Sequence, residues 1–353
     1  MRADTAQEEL MYNFWNEELG IMNQLSPCGG TCNDHFVYWW HAHVIDVLAD
    51  GYLRTKQRRY LERIDRVIGG VLQLNGSTLL HNYYDDMEWM ALALLRVYDA
   101  TGHARYLNAV RTLWESIQTA WNDHCGGGMA WKKDQPDYKN TPANAPACIL
   151  AARLFQRFGH SADYDWAVRI YEWTKSRLVD EETGFVWDGM NRLGDGRIDK
   201  DWAYTYCQGV YIGAGLELYR ITGRSAYMED AVKTAQEAIR RFGGGSEQPI
   251  SDEGPDDCGL FKGIFVRYLR DLYAMRPDLK VVRRTLLINA QSLWTSGRDG
   301  RGRLARSWGG PVETEVQLSA QLSGLMAFEM TASLLHEPEE TSDAITRRRE
   351  TPG

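Results

Sequence analysis

A chain of 353 residues with 44% hydrophobic and 25% charged residues has the makeup of a soluble globular protein, but its length exceeds most single cores unless the fold is built from repeated units. The net charge of -8, with one short, glycine-filled Arg-rich run at 298–306, argues against a nucleic-acid partner. No stretch approaches the roughly 18 apolar residues of a membrane span, and no membrane partner is expected.

In chain order, helical periodicity is nearly continuous and strand signals are scarce. A first helix is expected over about 5–19, then a couplet over 38–53 and 59–72. The next couplet shows the rule. Residues 87–98, MEWMALALLRVY, are apolar on almost every side, as a helix buried all round must be, whereas 104–121 carries only a stripe (Tyr106, Val110, Leu113, Trp114, Ile117, Trp121) with Arg111, Glu115 and Gln118 facing away. The pairing of a buried helix with an amphipathic one recurs at 145–158 with 164–178, at 204–219 with 227–242, and at 260–275 with 279–294. A last helix at about 313–335 is left to close a ring with the first. Six inner and six outer helices predict an all-α (α/α)6 barrel over 1–336, followed by a charged and disordered tail over 337–353.

The connections alternate in length. Tight turns such as Thr101-Gly102 follow the inner helices, and long loops (75–84, 122–143, 180–202, 243–259, 296–311) follow the outer ones. Long loops gathered on one rim are where a binding site is expected. The aromatic load of 13 Trp, 18 Tyr and 9 Phe suits core wedges and also platforms for the flat faces of sugar rings.

The strongest local signal on that rim is HNYYDDMEWM at 81–90, where two adjacent carboxylates meet the start of a buried helix. Helix capping explains one of them well and both adequately. Glycoside hydrolysis explains the pair, because it needs one ionised carboxylate and one that holds its proton, and two neighbouring acids cannot both ionise cheaply. Adjacent residues of a regular helix diverge by about 100°, so Asp85 and Asp86 can flank one sugar only at the irregular start of a helix. Candidate sugar-binding groups lie around the same rim: Trp39, Trp40, Asn82, Tyr84, Trp131, Lys139, Asn140, Asp188, Tyr204, Tyr206, Gln208, Asp257 and Lys262. Each alone is more often a cap or a loop-packing residue. There is no HExxH, GxSxG or P-loop signature, and His41 and His43 diverge on a helix and cannot easily share a metal.

The segments YYDDMEWMALALLRVYDATG, YKN at 138–140, WDG at 187–189, YTYCQG at 204–209 and FKGIFVRYL at 261–269 resemble glycoside hydrolase family 76, in order, over about 38–308. The resemblance implies an (α/α)6 barrel acting on α-1,6-linked mannan or manno-oligosaccharides, endo-mannanase-like, by a retaining double displacement. Asp85 would be the nucleophile and Asp86 the acid/base, with no cofactor. Two positions depart from the family pattern: Cys207 stands where Asn is expected and Phe261 where Leu is expected. A sugar epimerase or unsaturated uronyl hydrolase on the same barrel, or a non-catalytic carbohydrate-binding protein, are the alternatives. Only His81 and His124 lie on the rim, few for an epimerase.

The opening MRADTAQEELMYNFW lacks the layout of a signal peptide. The expectation is a cytoplasmic monomer, or a secreted protein whose signal was removed from this chain. Cys28, Cys32, Cys125, Cys148, Cys207 and Cys258 are scattered without a familiar zinc spacing, and reduced thiols suit the cytoplasmic reading.

Overall fold

The computed structural model describes residues 1–244 and 248–335; the stretch expected as a tail, 337–353, lies outside them. Helix α1 (Arg2–Phe14) stands alone at the start. Five couplets follow: α2 (Tyr38–Thr55) with α3 (Arg59–Leu74), α4 (Tyr84–Thr101) with α5 (Ala104–Gln118), α6 (Thr141–Phe158) with α7 (Ser161–Leu178), α8 (Thr205–Thr222) with α9 (Ser225–Phe242), and α10 (Cys258–Met275) with α11 (Lys280–Thr295). The last helix is α12 (Leu318–Leu335). Helices α2, α4, α6, α8, α10 and α12 pack each on the next, and α12 returns to α2 to close an inner ring, while α1 lies against α12 outside it. The fold is an (α/α)6 barrel, as the alternation of buried and amphipathic helices predicts.

The sequence dictates both rims. Gly102, Gly159 and Gly223 end three inner helices in the left-handed conformation, each donating its N–H back to the carbonyl of Tyr98, Phe155 or Tyr219 at 2.7 to 2.8 Å. Only glycine adopts that conformation without a Cβ penalty, so the chain reverses within two residues into the next outer helix. Outer helices bury one stripe; in α3 it is Tyr60, Ile64, Val67 and Val71. Inner helices approach closely where glycine faces a neighbour: a Cβ on Gly209 would lie 2.8 Å from Phe265 Cα, and one on Gly263 2.6 Å from Ser323 Cα.

The barrel axis at the short-turn end is filled by charge. Arg267 makes a two-pronged contact with Asp50 at 3.0 and 2.6 Å, and reaches Asp46 at 2.9 Å. Arg96 bonds Asp50 at 2.5 Å and also pairs with Asp46. Helices α2, α4 and α10 are thereby tied across the centre.

Three expectations are corrected. The first helix ends at Phe14, not near 19, because Asn16 Oδ1 accepts the Leu19 N–H (3.0 Å) and Gly20 turns left-handed. That turn folds the chain into a hairpin of β1 (Trp15–Asn16) and β2 (Ile21–Met22). The last helix starts at Leu318, not near 313, because β7 (Val316–Gln317) pairs with β3 (Leu25–Ser26) just before it. Within the long loops, β4 (Ala130–Lys132), β5 (Gln135–Asn140) and β6 (Gly189–Met190) form a three-stranded sheet that the sequence did not announce. The expectation of reduced thiols fails at one place: Cys28 and Cys32 form a disulfide, while Cys125, Cys148, Cys207 and Cys258 are free.

Candidate active site

The long loops surround a cleft of about 1020 Å³ at the mouth of the barrel, and both Asp85 and Asp86 line it. They occupy the first turn of α4, entered through the extended residue Tyr83. Both stand inside the helix, at its second and third residues, so the expected irregular start is not found; each reaches the cleft from the helix's first turn. Asp85 Oδ1 accepts the backbone N–H of Asp86 at 3.0 Å, and Oδ2 accepts Nε1–H of Trp131, on β4, at 3.1 Å. Asp86 Oδ2 instead lies 3.1 Å from His81 Nδ1. The His81 ring is held between Tyr38 and Tyr83, with centroids 4.8 and 5.5 Å away.

Burial raises both carboxyls above the ordinary carboxylate range, and for Asp85, pushed well above it, the neighbouring Asp86 adds a second, like-charge contribution. Two neighbours raised together behave as one proton-sharing unit. Burial alone would favour the proton on Asp85, the deeper residue. Its two N–H donors act the other way, because they stabilise the anion. Asp86 faces a nitrogen that already receives the Tyr83 backbone N–H, at 3.4 Å. The His81 contact favours the charged form of Asp86 and so opposes part of the burial effect, while the charge of Asp257 adds to it.

Two further carboxylates organise the aromatic walls. Asp257 Oδ1 accepts from Trp39 Nε1 (2.9 Å) and Trp40 Nε1 (3.0 Å), fixing two adjacent indoles with one oxygen. Asp188 accepts from Tyr206 (3.0 Å), Tyr138 (3.1 Å) and the Cys207 thiol (3.5 Å). Burial raises Asp188 and Asp257 as well. The departure at Phe261 has a visible use: its ring stacks on Tyr206 at 3.7 Å with the planes 2° apart.

Of the sequence candidates, Trp39, Trp40, Trp131, Asn140, Asp188, Tyr204, Tyr206 and Asp257 line the same cleft as the aspartate pair. Five do not. Tyr84 turns outward to Thr119 (3.2 Å), and Asn82 serves the β4–β5 turn through Lys133 N–H and Asp134. Lys139 is fully buried and donates to Asn122 and the Gly128 carbonyl, both at 2.8 Å. Gln208 clamps both backbone groups of Val186, at 2.9 and 2.6 Å. Lys262 donates to the Arg306 carbonyl at 2.7 Å. These side chains hold the loops that build the cleft and face away from its lumen. Tyr38, Tyr83, Tyr138 and Trp202 line it and were not singled out, nor was His81 given a role there. The clustering of aromatics in the matching segments HNYYDD and DYKN was the available signal.

Among the described residues no helix is long and apolar enough to cross a membrane, and no group of three or more His, Cys, Asp or Glu is placed to hold a metal ion.

Comparison with known proteins supplies the relatives. The mannan endo-1,6-α-mannosidase DCW1 of Saccharomyces cerevisiae is 24% identical over 341 residues, covering 88% of this chain and 75% of that protein. DCW1 of Candida glabrata is 24% identical over 268 residues, and this chain spans 60% of that relative's length. Among solved structures, the Lin0763 protein of Listeria innocua superposes with a TM-score of 0.89 at 41% identity over 94% of this chain and 96% of that one. An α-1,6-mannanase of Salegentibacter sp. HEL1_6 superposes at 0.88 with 38% identity, over 94% and 98%. An inactive variant of that enzyme, with two consecutive aspartates replaced by alanine, is bound to α-1,6-mannotetrose and superposes at 0.89 with 37% identity, again over 94% and 98%. Glycosyl hydrolase family 76 is matched over residues 1–344. A barrel that opens on an adjacent pair of acids, in a sequence carrying that family's pattern along nearly its whole length, belongs to glycosyl hydrolase family 76.

Proposed function

We propose that this chain hydrolyses α-1,6-mannosidic bonds in mannan or manno-oligosaccharides by a retaining double displacement, with Asp85 as nucleophile and Asp86 as general acid/base. The observation that carries the reading is the unequal pair: two N–H donors on Asp85, and the His81 ring nitrogen facing Asp86. The first favours a carboxylate that attacks the anomeric carbon, displaces the glycosidic oxygen and becomes the acyl group of a mannosyl ester. Asp86, raised by burial, is left for the other role: it protonates the departing glycosidic oxygen, then takes a proton from the water that cleaves the ester.

The chain contains a second adjacent pair, Asp256 and Asp257, also on the cleft. There, one Asp257 oxygen is committed to two indoles, and Asp256 Oδ1 accepts from Gln317 Nε2 at 2.6 Å. That environment suits a wall better than proton transfer. An epimerase reading loses support because His41 and His43 are buried below the rim and His81 is engaged with Asp86. The disulfide favours an oxidising compartment, hence the secreted alternative over the cytoplasmic one.

Asp85→Asn and Asp86→Asn are each expected to lower the hydrolysis of α-1,6-mannan by about 10²- to 10⁴-fold while leaving the helical circular dichroism intact. Proton NMR of the first product should show the α-anomer. Mannan cleavage at the wild-type rate in either variant, or a β-anomer as first product, would remove the assignment.

A further inference from the structure

We propose that residues 23–37, cross-linked by Cys28–Cys32, form a wall of the substrate cleft for sugar units beyond those at the aspartate pair, and that the disulfide sets how tightly long oligosaccharides bind. The inference rests on the α-mannoside reading above.

The segment leaves β2, pairs Leu25 and Ser26 with Gln317 and Val316, and arrives at the start of α2. Between those anchors it borders the cleft with Gln24, Cys32, His35 and Phe36. Phe36 is half-buried with its ring 5.0 Å from that of His41, so it is held as a rigid apolar surface, and His35 beside it is exposed. Fixed aromatic faces and exposed polar tips are what a sugar ring needs from a wall.

The cross-link lies where the rest of the segment is weakest. Pro27 and the tip 28–31 are exposed, and the tip includes Gly29 and Gly30, whose added Cβ atoms would meet nothing within 4 Å. No core packing restrains this tip. What orders the far limb is a set of polar bonds running back to the near one. Gln24 Nε2 donates to the carbonyls of Cys32 (3.2 Å) and His35, and Asn33 accepts from Gln24 N–H (3.1 Å) and donates to Asn23 Oδ1 (2.7 Å). All of these need Cys32 and Asn33 to sit over Gln24. The disulfide closes the glycine-containing turn that delivers them there. Opening it restores backbone freedom to the two glycines and loosens the bonds that aim His35 and Phe36.

Calorimetry on the Asp85→Asn/Asp86→Asn protein, which binds without turnover under the reading above, tests the idea with α-1,6-mannobiose and α-1,6-mannotetraose as probes. The protein is compared with its disulfide intact, reduced, and replaced through Cys28→Ser/Cys32→Ser. Reduction and replacement should each raise the tetraose Kd about three- to tenfold, the scale of losing one or two preorganised side chains, and should change the biose Kd less. Equal tetraose affinity in oxidised and reduced protein, or an equal loss for both ligands, overturns the inference while leaving the parent reading in place. Absence of tetraose binding to the oxidised protein, together with absence of mannan cleavage by wild type, overturns both.

Discussion

Asp85 and Glu88 are carboxyls placed where charge is expensive. Both are buried and raised well above the ordinary range by that burial, and Glu88, one turn below Asp85, is pushed further by the charge of Asp85. A raised folded-state value has a definite sign. The folded protein resists ionising these groups, so their contribution to stability is fully present below the unfolded carboxyl value near 3.8 to 4.5 and is lost as pH rises through the folded value. Asparagine at position 85 carries no charge to penalise. Asp85→Asn is therefore expected to melt at a higher temperature than wild type at pH 7 to 8, and the two should converge near pH 4. Thermal melts across that range check it; a gain independent of pH would point to packing instead. The mutation that abolishes activity would then also relieve the fold, as expected of a site kept strained for chemistry.

At the level of helices and loops, the alternation of inner and outer helices was legible because each inner helix is apolar on nearly all faces and three of them end in glycine. The short strands were not, since two to six residues carry too little alternation to stand out from a loop. Half of the site's logic was similarly hidden. Lys139, Gln208 and Lys262 are polar residues at inner-helix starts, the expected place for ligands, but position along a helix does not say whether a side chain looks into the barrel mouth or sideways beneath a loop. Gln208 looks sideways. Gln208→Ala would strip Val186 of both its partners, with an expected cost of about 1–3 kcal/mol for buried polar groups left unpaired. Denaturant melts measure this, and a loss under about 0.5 kcal/mol would show that the loop is held by its sheet rather than by the amide.

Across the whole molecule, the loops decide chemistry and the opposite end of the barrel decides integrity. The Asp46, Asp50, Arg96 and Arg267 cluster joins three inner helices, and the two guanidiniums hold Asp46 and Asp50 below the usual carboxylate range despite burial. Depressed values have the opposite sign to those at the mouth. The stability is present above the unfolded value near 3.8 and lost as pH falls through the folded one, so acid should loosen the floor of the barrel while it relaxes the rim. Removing one partner leaves two arginines short of a countercharge, and Asp50→Ala is expected to cost about 3–5 kcal/mol, readable by urea denaturation. A smaller loss would mean that Asp46 suffices for both.

Closure of the ring by α12 also bears on how the protein is made. The flanks of α2 and α10 that face the gap stay bare until the final helix is synthesised, and α1 lacks its seat for just as long. Translation therefore yields an open crescent with greasy edges for most of its duration, and the native topology clicks shut only once residues 318–335 have cleared the ribosome. Apolar surface left open in a nearly finished shell is the kind that aggregates before folding completes.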